Sequence, residues 1–273
     1  MGSTSLPSPP FIEVDGIANF RDIGGYTTAS SQKVRNGVVY RAADPSKVSP
    51  AGLKRMKEEL GVTTIFDFRS LPELQRTGPE WADVETDHPD PFAPYGITRH
   101  WTPVFAAQDY GPEQVALRYK HYTRSGTEGF VQAYRDILSS GTEAYEKVFR
   151  HLAQEAPGGC LVHCTAGKDR TGVLVALLFL LVGVEHEVIA EEYSLTDLGL
   201  QHLKPMFIER LLRNPALAGD EAGVANMVSS RKECMLDSIV MINEEFGGAE
   251  TYIKERCGLN QNEIELLKRN LVA

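Results

Sequence analysis

The stretch "LVHCTAGKDRTGVLVALLFLL", Leu161 to Leu181, decides how the chain is read. A short apolar run stops at a tight polar segment, and a longer apolar run follows. That order spells a buried strand, a loop and a buried helix. The loop carries one thiol (Cys164), two cations (Lys168 and Arg170), one acid (Asp169), two hydroxyls (Thr165 and Thr171) and two glycines (Gly167 and Gly172). Strand, loop and helix together make an anion site, because loop amides converge and the helix N-terminus adds partial positive charge. Gly167 and Gly172 allow backbone paths that a side chain would block. Cys164, Thr165, Ala166, Gly167, Lys168, Asp169 and Arg170 are therefore the expected phosphate-binding residues.

The nucleotide-binding pattern G-x-x-x-x-G-K-[ST] fails here. Asp169 follows Gly167 and Lys168, and Val162 stands five places before Gly167. What remains is Cys-x5-Arg closed by Thr171. Convergent amides, a helix N-terminus and Arg170 all favour a thiolate over a thiol. The same groups hold a phosphoryl group against the sulfur, and the Arg170 fork suits two phosphate oxygens at once. Amides can follow the equatorial oxygens as charge redistributes. Covalent catalysis through a phosphocysteine follows.

Composition frames this reading. The chain has 273 residues, 42% apolar and 24% charged, within the ordinary globular range. A net charge of −9 argues against a nucleic-acid partner, which needs a basic field. The opening "MGSTSLPSPP" has neither the basic nor the apolar region of a secretory signal, and reads as a disordered tail over residues 1–10. Leu6 breaks the myristoylation pattern. The apolar run Val173 to Val182 is too short to span a bilayer, so stable membrane insertion is not expected. Cys160, Cys164, Cys234 and Cys257 form no C-x-x-C pair and no metal spacing, which suits a reducing, cytoplasmic setting. A Cys160–Cys164 disulfide is disfavoured because an extended strand holds the two too far apart. "HEVIA" begins like a zinc motif, but Ala190 replaces the second His. No metal and no cofactor are expected.

Along the chain, "GIANFRDIGGY" reads as a loop, "GVVYRAAD" as a strand, and "SPAGLKRMKEELG" as a helix with Ser49 as N-cap, Pro50 at its first position and Gly61 as its stop. "VTTIFDFRS" is β-branched and aromatic, so a strand. Residues 71–97 read as an excursion, and Thr98 to Val104 as a weaker strand. Helical patterns occupy 112–124, 128–139 and 141–156, and the stretch 185–273 is helical with a break at "RNPALAGDEAG". "KPMFIERLLRNP" admits two readings, a core helix or a cover over the site. The strand–helix–strand order makes the fold α/β, and residues 11–273 are expected to form a single domain.

"HCTAGKDRTG" resembles the signature of the cysteine-dependent protein tyrosine phosphatase superfamily, and more closely its bacterial and fungal branch with the loop H-C-x-A-G-K-D-R-T-G. The likeness extends to "NFRDIGG", to "VVYRAAD" (Ala42 where the branch has Ser), to "IFDFRSLPE" (Phe68 in place of Leu), and to the C-terminal stretches "EEYSLTDLGL" and "FGGAETYIKERCGLNQNEIELLKRNL". It implies a protein tyrosine phosphatase-like fold, a central mostly parallel sheet flanked by helices with a helical C-terminal part. It implies hydrolysis of phosphotyrosine, with phosphoserine, phosphothreonine or a phosphoinositide as further substrates.

Each candidate residue has an assigned role. Cys164 is the nucleophile and Arg170 the phosphate clamp. His163 fixes the loop, and Thr171 donates to the sulfur or only to backbone. A leaving oxygen needs a proton. The residues alone offer Asp90, Asp109 and Asp136 outside the loop; the resemblance implies Asp169 within it. Lys168 either meets a polyanionic substrate, as the resemblance suggests, or balances Asp169 or stands in solvent. Asp67 and Arg69 fall at a strand end where ligands gather. Asn19, Arg21 and Asp22 shape the pocket floor or form a structural ion-pair cluster. A phosphate-reading module without catalysis and an arsenate reductase share parts of the pattern. The first needs a degraded site, and the second places its loop near the N-terminus.

Overall fold

Among the described residues five strands form one sheet in the spatial order β1-β2-β5-β3-β4: β1 (Arg21–Asp22), β2 (Val39–Ala42), β3 (Val62–Asp67), β4 (Thr98–Trp101) and β5 (Gly159–His163). Among the strands of the described residues only the β1–β2 pairing is antiparallel, so the sheet is mostly parallel, as expected. These come from a computed structural model that describes residues 6–76, 90–106 and 112–273. Half of the proposed tail, residues 1–5, lies outside the described residues, as does Asp109.

The β-branched and apolar runs that predicted strands do form them, because both faces of the sheet are covered. Side chains alternate between two apolar clusters. Val39, Phe66, Cys160 and Val162 face one cluster, and Tyr40, Ala42, Ile65 and Leu161 face the other. The second cluster is closed by Leu53 of α1 (Pro50–Lys54), by Met56 of the π-turn Arg55–Glu59 that follows, and by Val14, Ile17 and Phe20 of the N-terminal segment. Ser49 caps α1 as expected, its Oγ accepting from the Gly52 amide at 3.1 Å.

Two stretches before β4 differ from their reading. "GIANFRDIGGY" contributes the short strand β1, paired through Arg21–Arg41 and Asp22–Tyr40. The excursion after β3 opens with a helix, α2 (Leu71–Gln75). A capping box starts it: the Glu73 amide donates to Ser70 Oγ, and the Ser70 amide donates to Glu73 Oε2. The turn is only five residues long, too short for apolar periodicity to show it.

The remaining helices follow their predicted positions: α3 (Pro112–Thr123), α4 (Glu128–Ser140), α5 (Thr142–Leu152), α6 (Asp169–Leu181), α7 (His186–Gly199), α8 (Lys204–Leu212), α9 (Glu221–Met227), α10 (Lys232–Phe246), α11 (Gly248–Thr251) and α12 (Gln261–Leu271). α6 is the axis of the larger cluster. From Thr171 to Phe179 every residue is buried, and α4, α7 and α11 pack around it. A helix apolar on all sides belongs in such a place. α8 is a correction to the core reading of "KPMFIERLLRNP". None of its residues is buried and Met206 is 41% exposed, because α9 is its main helical neighbour and leaves the rest of its surface open.

Truncating α6 should therefore be costly. Leu177 is fully buried, so Leu177→Ala is expected to lower unfolding stability by about 2–5 kcal/mol. Urea denaturation measures this. A loss below ~1 kcal/mol would show that α6 does not anchor the core.

Candidate active site

The loop between β5 and α6 sits at the C-terminal ends of β2, β3 and β5, the usual place for a ligand in an open α/β sheet. Cys164 is buried at 2% exposure just past β5. The loop is fastened on both sides by its neighbours. The Asp44 amide donates to Thr165 O at 3.0 Å, and the Phe68 amide donates to His163 O at 3.0 Å.

Its carbonyls are turned outward by buried donors. Asn19 Nδ2 donates to Ala166 O at 3.1 Å, and Arg41 Nη2 donates to Gly167 O at 2.7 Å. A trans peptide points its N–H opposite to its C=O. Outward carbonyls therefore turn amides inward, toward the space beside Cys164. Gly167 has φ +64°, and a Cβ there would lie 2.1 Å from Ala42 O, so only glycine fits.

Asn19 and Arg41 are themselves held. Arg21 Nη1 donates to Asn19 Oδ1 at 2.5 Å. Glu192 of α7 takes Arg21 Nε on one carboxylate oxygen and Arg41 Nη1 on the other, both at 2.6 Å. All three side chains are essentially unexposed. Burial, with the neighbouring Arg41 charge next, lowers the Arg21 guanidinium to about 10 despite the carboxylate beside it. The expectation that Asn19, Arg21 and Asp22 lie near the floor thus resolves into distinct parts. Asn19 touches the loop and Arg21 acts through Asn19. Asp22 instead braces the turns at Gly24 and Gly37 by accepting from their amides.

Arg170 leads α6 into the site. Its Nη1 and Nη2 each donate to Glu73 at 2.6 Å, one to each carboxylate oxygen, and Nη1 also reaches Phe68 O at 3.2 Å. Thr165 Oγ1 donates to Glu73 Oε1 at 2.5 Å. Burial alone would raise the Glu73 carboxyl, but the Arg170 charge and the hydrogen bonds from Arg170, Thr165 and Ser70 outweigh it and bring it down to about 2. A capping residue of α2 thus aims the arginine of the loop.

The other predicted residues form two groups. Asp67 lies fully buried between Arg69, Arg99 and His163. Burial opposes its ionisation, yet His163, the hydrogen bonds and charge of Arg69, and the Arg99 charge together hold its carboxyl far below the usual range. Arg69 bridges Asp67 to Asp44 at 2.8 and 2.7 Å. His163 places Nδ1 3.2 Å from Cys164 O and Nε2 3.6 Å from Asp67 Oδ2. Burial depresses its imidazole below the ordinary range, with Asp67 pulling the other way. Asp67, Arg69 and His163 therefore brace the loop from behind. Thr171 Oγ1 is buried and has no hydrogen-bond partner among the described residues, so neither expected bond, to the Cys164 sulfur or to backbone, is formed.

At the start of α6, Asp169 Oδ1 accepts from Lys168 Nζ at 2.6 Å and from Tyr134 Oη at 2.9 Å. Lys168 is only 3% exposed, its ammonium 4.7 Å from the Phe130 ring centroid and 5.5 Å from that of Tyr122. Of its three expected settings, this geometry is the one that balances Asp169. The remaining acid candidates turn elsewhere. Asp90 accepts from the Phe92 amide of its own turn, and Asp136 accepts from Gln132 on the same helix.

Several of these residues had no assigned role in the sequence. Arg41 lies inside the apolar strand run "VVYRAAD", and a charge there must find a buried partner. Glu73 is marked by the capping spacing Ser-x-x-Glu in "SLPE". Nothing local marks Glu192 or Tyr134, whose helices reach the loop only in three dimensions.

Two stability predictions follow. Glu192→Ala leaves two buried guanidinium groups facing one another and is expected to cost about 3–5 kcal/mol in urea denaturation; a loss under ~1 kcal/mol would contradict the network. Glu73 stabilises the fold above its ordinary value of 4.5, and that stabilisation fades as pH falls toward about 2, because the unfolded chain binds the proton first. The loss amounts to about 3 kcal/mol. Glu73→Gln should flatten the pH dependence of stability in that window; an unchanged slope would contradict the pairing.

Comparison with known proteins agrees with this geometry. A family model described as the tyrosine phosphatase family matches residues 12–273. A putative tyrosine-protein phosphatase of Cupriavidus necator is 29% identical over 246 residues, covering 88% of this chain and 82% of that protein. The triple-specificity protein phosphatase PtpB of Mycobacterium tuberculosis is 26% identical over 285 aligned positions, covering 94% of this chain and 97% of that protein. A tyrosine-protein phosphatase of Nostoc commune is 31% identical over 145 residues, about half of either chain.

Proposed function

Since the chain belongs to the tyrosine phosphatase family, we propose that it hydrolyses phosphotyrosine in proteins through a phosphocysteine on Cys164. The observation that carries the assignment is the fastening of the loop. Its carbonyls are drawn outward by Asn19 and Arg41 while Cys164 and Arg170 stand at its two ends.

In the first step the Cys164 thiolate attacks phosphorus, and the bond from phosphorus to the leaving oxygen breaks. Arg170 and the loop amides carry the charge on the equatorial oxygens. The leaving oxygen takes a proton from Asp169. In the second step Asp169 takes a proton from water, the water oxygen attacks phosphorus, and the sulfur departs as thiolate. The Thr171 hydroxyl, buried and without a hydrogen-bond partner among the described residues, is available to donate to that sulfur as it leaves. His163, Asp67 and Arg69 keep the loop in register during both steps.

The family match over residues 12–273 supports reading residues 11–273 as one catalytic domain. The relative named for triple specificity supports a substrate range wider than phosphotyrosine. Lys168 argues against a lipid-specific contact at that position, because its ammonium is spent on Asp169 under two aromatic rings. No helix among the described residues is long and apolar enough to cross a membrane. A cytoplasmic setting is supported by four free, buried cysteines.

Phosphate release from a phosphotyrosine peptide, a phosphothreonine peptide and a phosphoinositide, measured side by side, tests the assignment. Release from the phosphotyrosine peptide that vanishes in Cys164→Ser is expected. Tight phosphopeptide binding without release would mark a binding module instead. Asp169→Asn should slow substrates with poor leaving groups by about 10²–10⁴-fold and good ones far less. Equal slowing of both would remove Asp169 from the proton-donor role.

A further inference from the structure

Asp169 is not held by the loop alone. Tyr134, on α4, donates its hydroxyl proton to Asp169 Oδ1 at 2.9 Å, and Tyr193, on α7, places its own oxygen 2.6 Å from that of Tyr134. A tyrosine hydroxyl has a single proton to give. With the Tyr134 proton committed to Asp169, the proton between the two tyrosines must come from Tyr193. The chain therefore runs one way, from Tyr193 to Tyr134 to Asp169. Both rings are buried, at 0% and 1% exposure, and meet edge to face at 6.3 Å. Burial holds both hydroxyls protonated, and the Asp169 charge reinforces this once its proton has left, so they remain donors.

The close approach of Tyr193 to α6 depends on Gly172. A Cβ there would sit 3.1 Å from the Tyr193 ring, tighter than the ring tolerates without moving. On the other flank Lys168 also addresses Oδ1 at 2.6 Å. Both contacts thus fall on one oxygen of the carboxyl. These contacts hold Oδ1, and Oδ2 is the oxygen left to carry a transferable proton.

We propose that Tyr134, braced by Tyr193, is a positioning residue for the proton donor of this phosphatase, fixing Asp169 through Oδ1 so that Oδ2 delivers the proton to the leaving oxygen. The proposal rests on the assignment of Asp169 as that donor. Neither tyrosine touches the reacting atoms; they act through Asp169. The rings themselves are core, and removing only the hydroxyl leaves their packing intact.

The test compares kcat/KM for the full chain and its variants across aryl and alkyl phosphates whose leaving groups run from an acidic phenol to a simple alcohol. Tyr134→Phe is expected to lose roughly tenfold or more on the alkyl phosphate and less than about threefold on the most acidic phenol, with the loss in kcat rather than KM. Tyr193→Phe should tilt the series the same way by a smaller factor, and it carries the test if Tyr134→Phe does not fold. Adding Tyr134→Phe to Asp169→Asn should cause no further loss on any substrate. A uniform loss across the series, no loss at all, or full additivity in the double variant would overturn the proposal. If Asp169→Asn slows all substrates equally, the donor assignment itself fails and the proposal falls with it. If Asp169→Asn is selective and the tyrosine variants are not, only the proposal fails.

Discussion

One buried carboxylate governs the site. Glu192 ties Arg21 and Arg41 together, and through them orients the carbonyls of Ala166 and Gly167. Two arginines around one carboxylate leave a net positive charge beneath the loop, out of reach of solvent screening. Such a cluster is a poor source of stability compared with an apolar core. Its value is conformational, since it fixes which way each peptide of the loop faces. The amides that then point inward face the space beside Cys164.

Around this floor the loop is gripped by three separate devices. Glu73, delivered by the capping box of α2, aligns the Arg170 fork. Asp67, Arg69 and His163 brace the strand end that leads into Cys164. The tyrosine pair and Lys168 clamp Asp169 from the helical side. The three devices draw on β3 and β5, on α2, and on α4 and α7, so Cys164, Arg170 and Asp169 are each held by a different set of partners.

Much of this was legible in the sequence. The strand, loop and helix around Cys164 follow from apolar patterning, because a helix buried on all sides and a strand buried on both leave no polar positions. Cys164, Asp169, Arg170 and Thr171 share one short segment, so spacing alone brings them together. Legibility ended where three-dimensional proximity began. Glu192, Tyr134 and Tyr193 lie on helices whose relation to the loop is set by packing of the core. The helix α2 was hidden because a single turn has no periodicity, although its capping spacing was present. α8 carried an apolar composition that suggested core, yet its burial depends on what lies over it. Lys168 shows the same limit, for its neighbours in sequence cannot reveal that two aromatic rings close over its charge.

The most direct measurement is capture of the covalent intermediate. Rapid quenching of the enzyme with a phosphotyrosine peptide, followed by mass analysis of its proteolytic fragments, reads where phosphate is held. The account predicts a fragment spanning Cys164 heavier by one phosphoryl group, longer-lived when Asp169 is replaced by Asn, and missing from Cys164→Ser. Turnover without any phosphorylated fragment, or with phosphate on another residue, would contradict it.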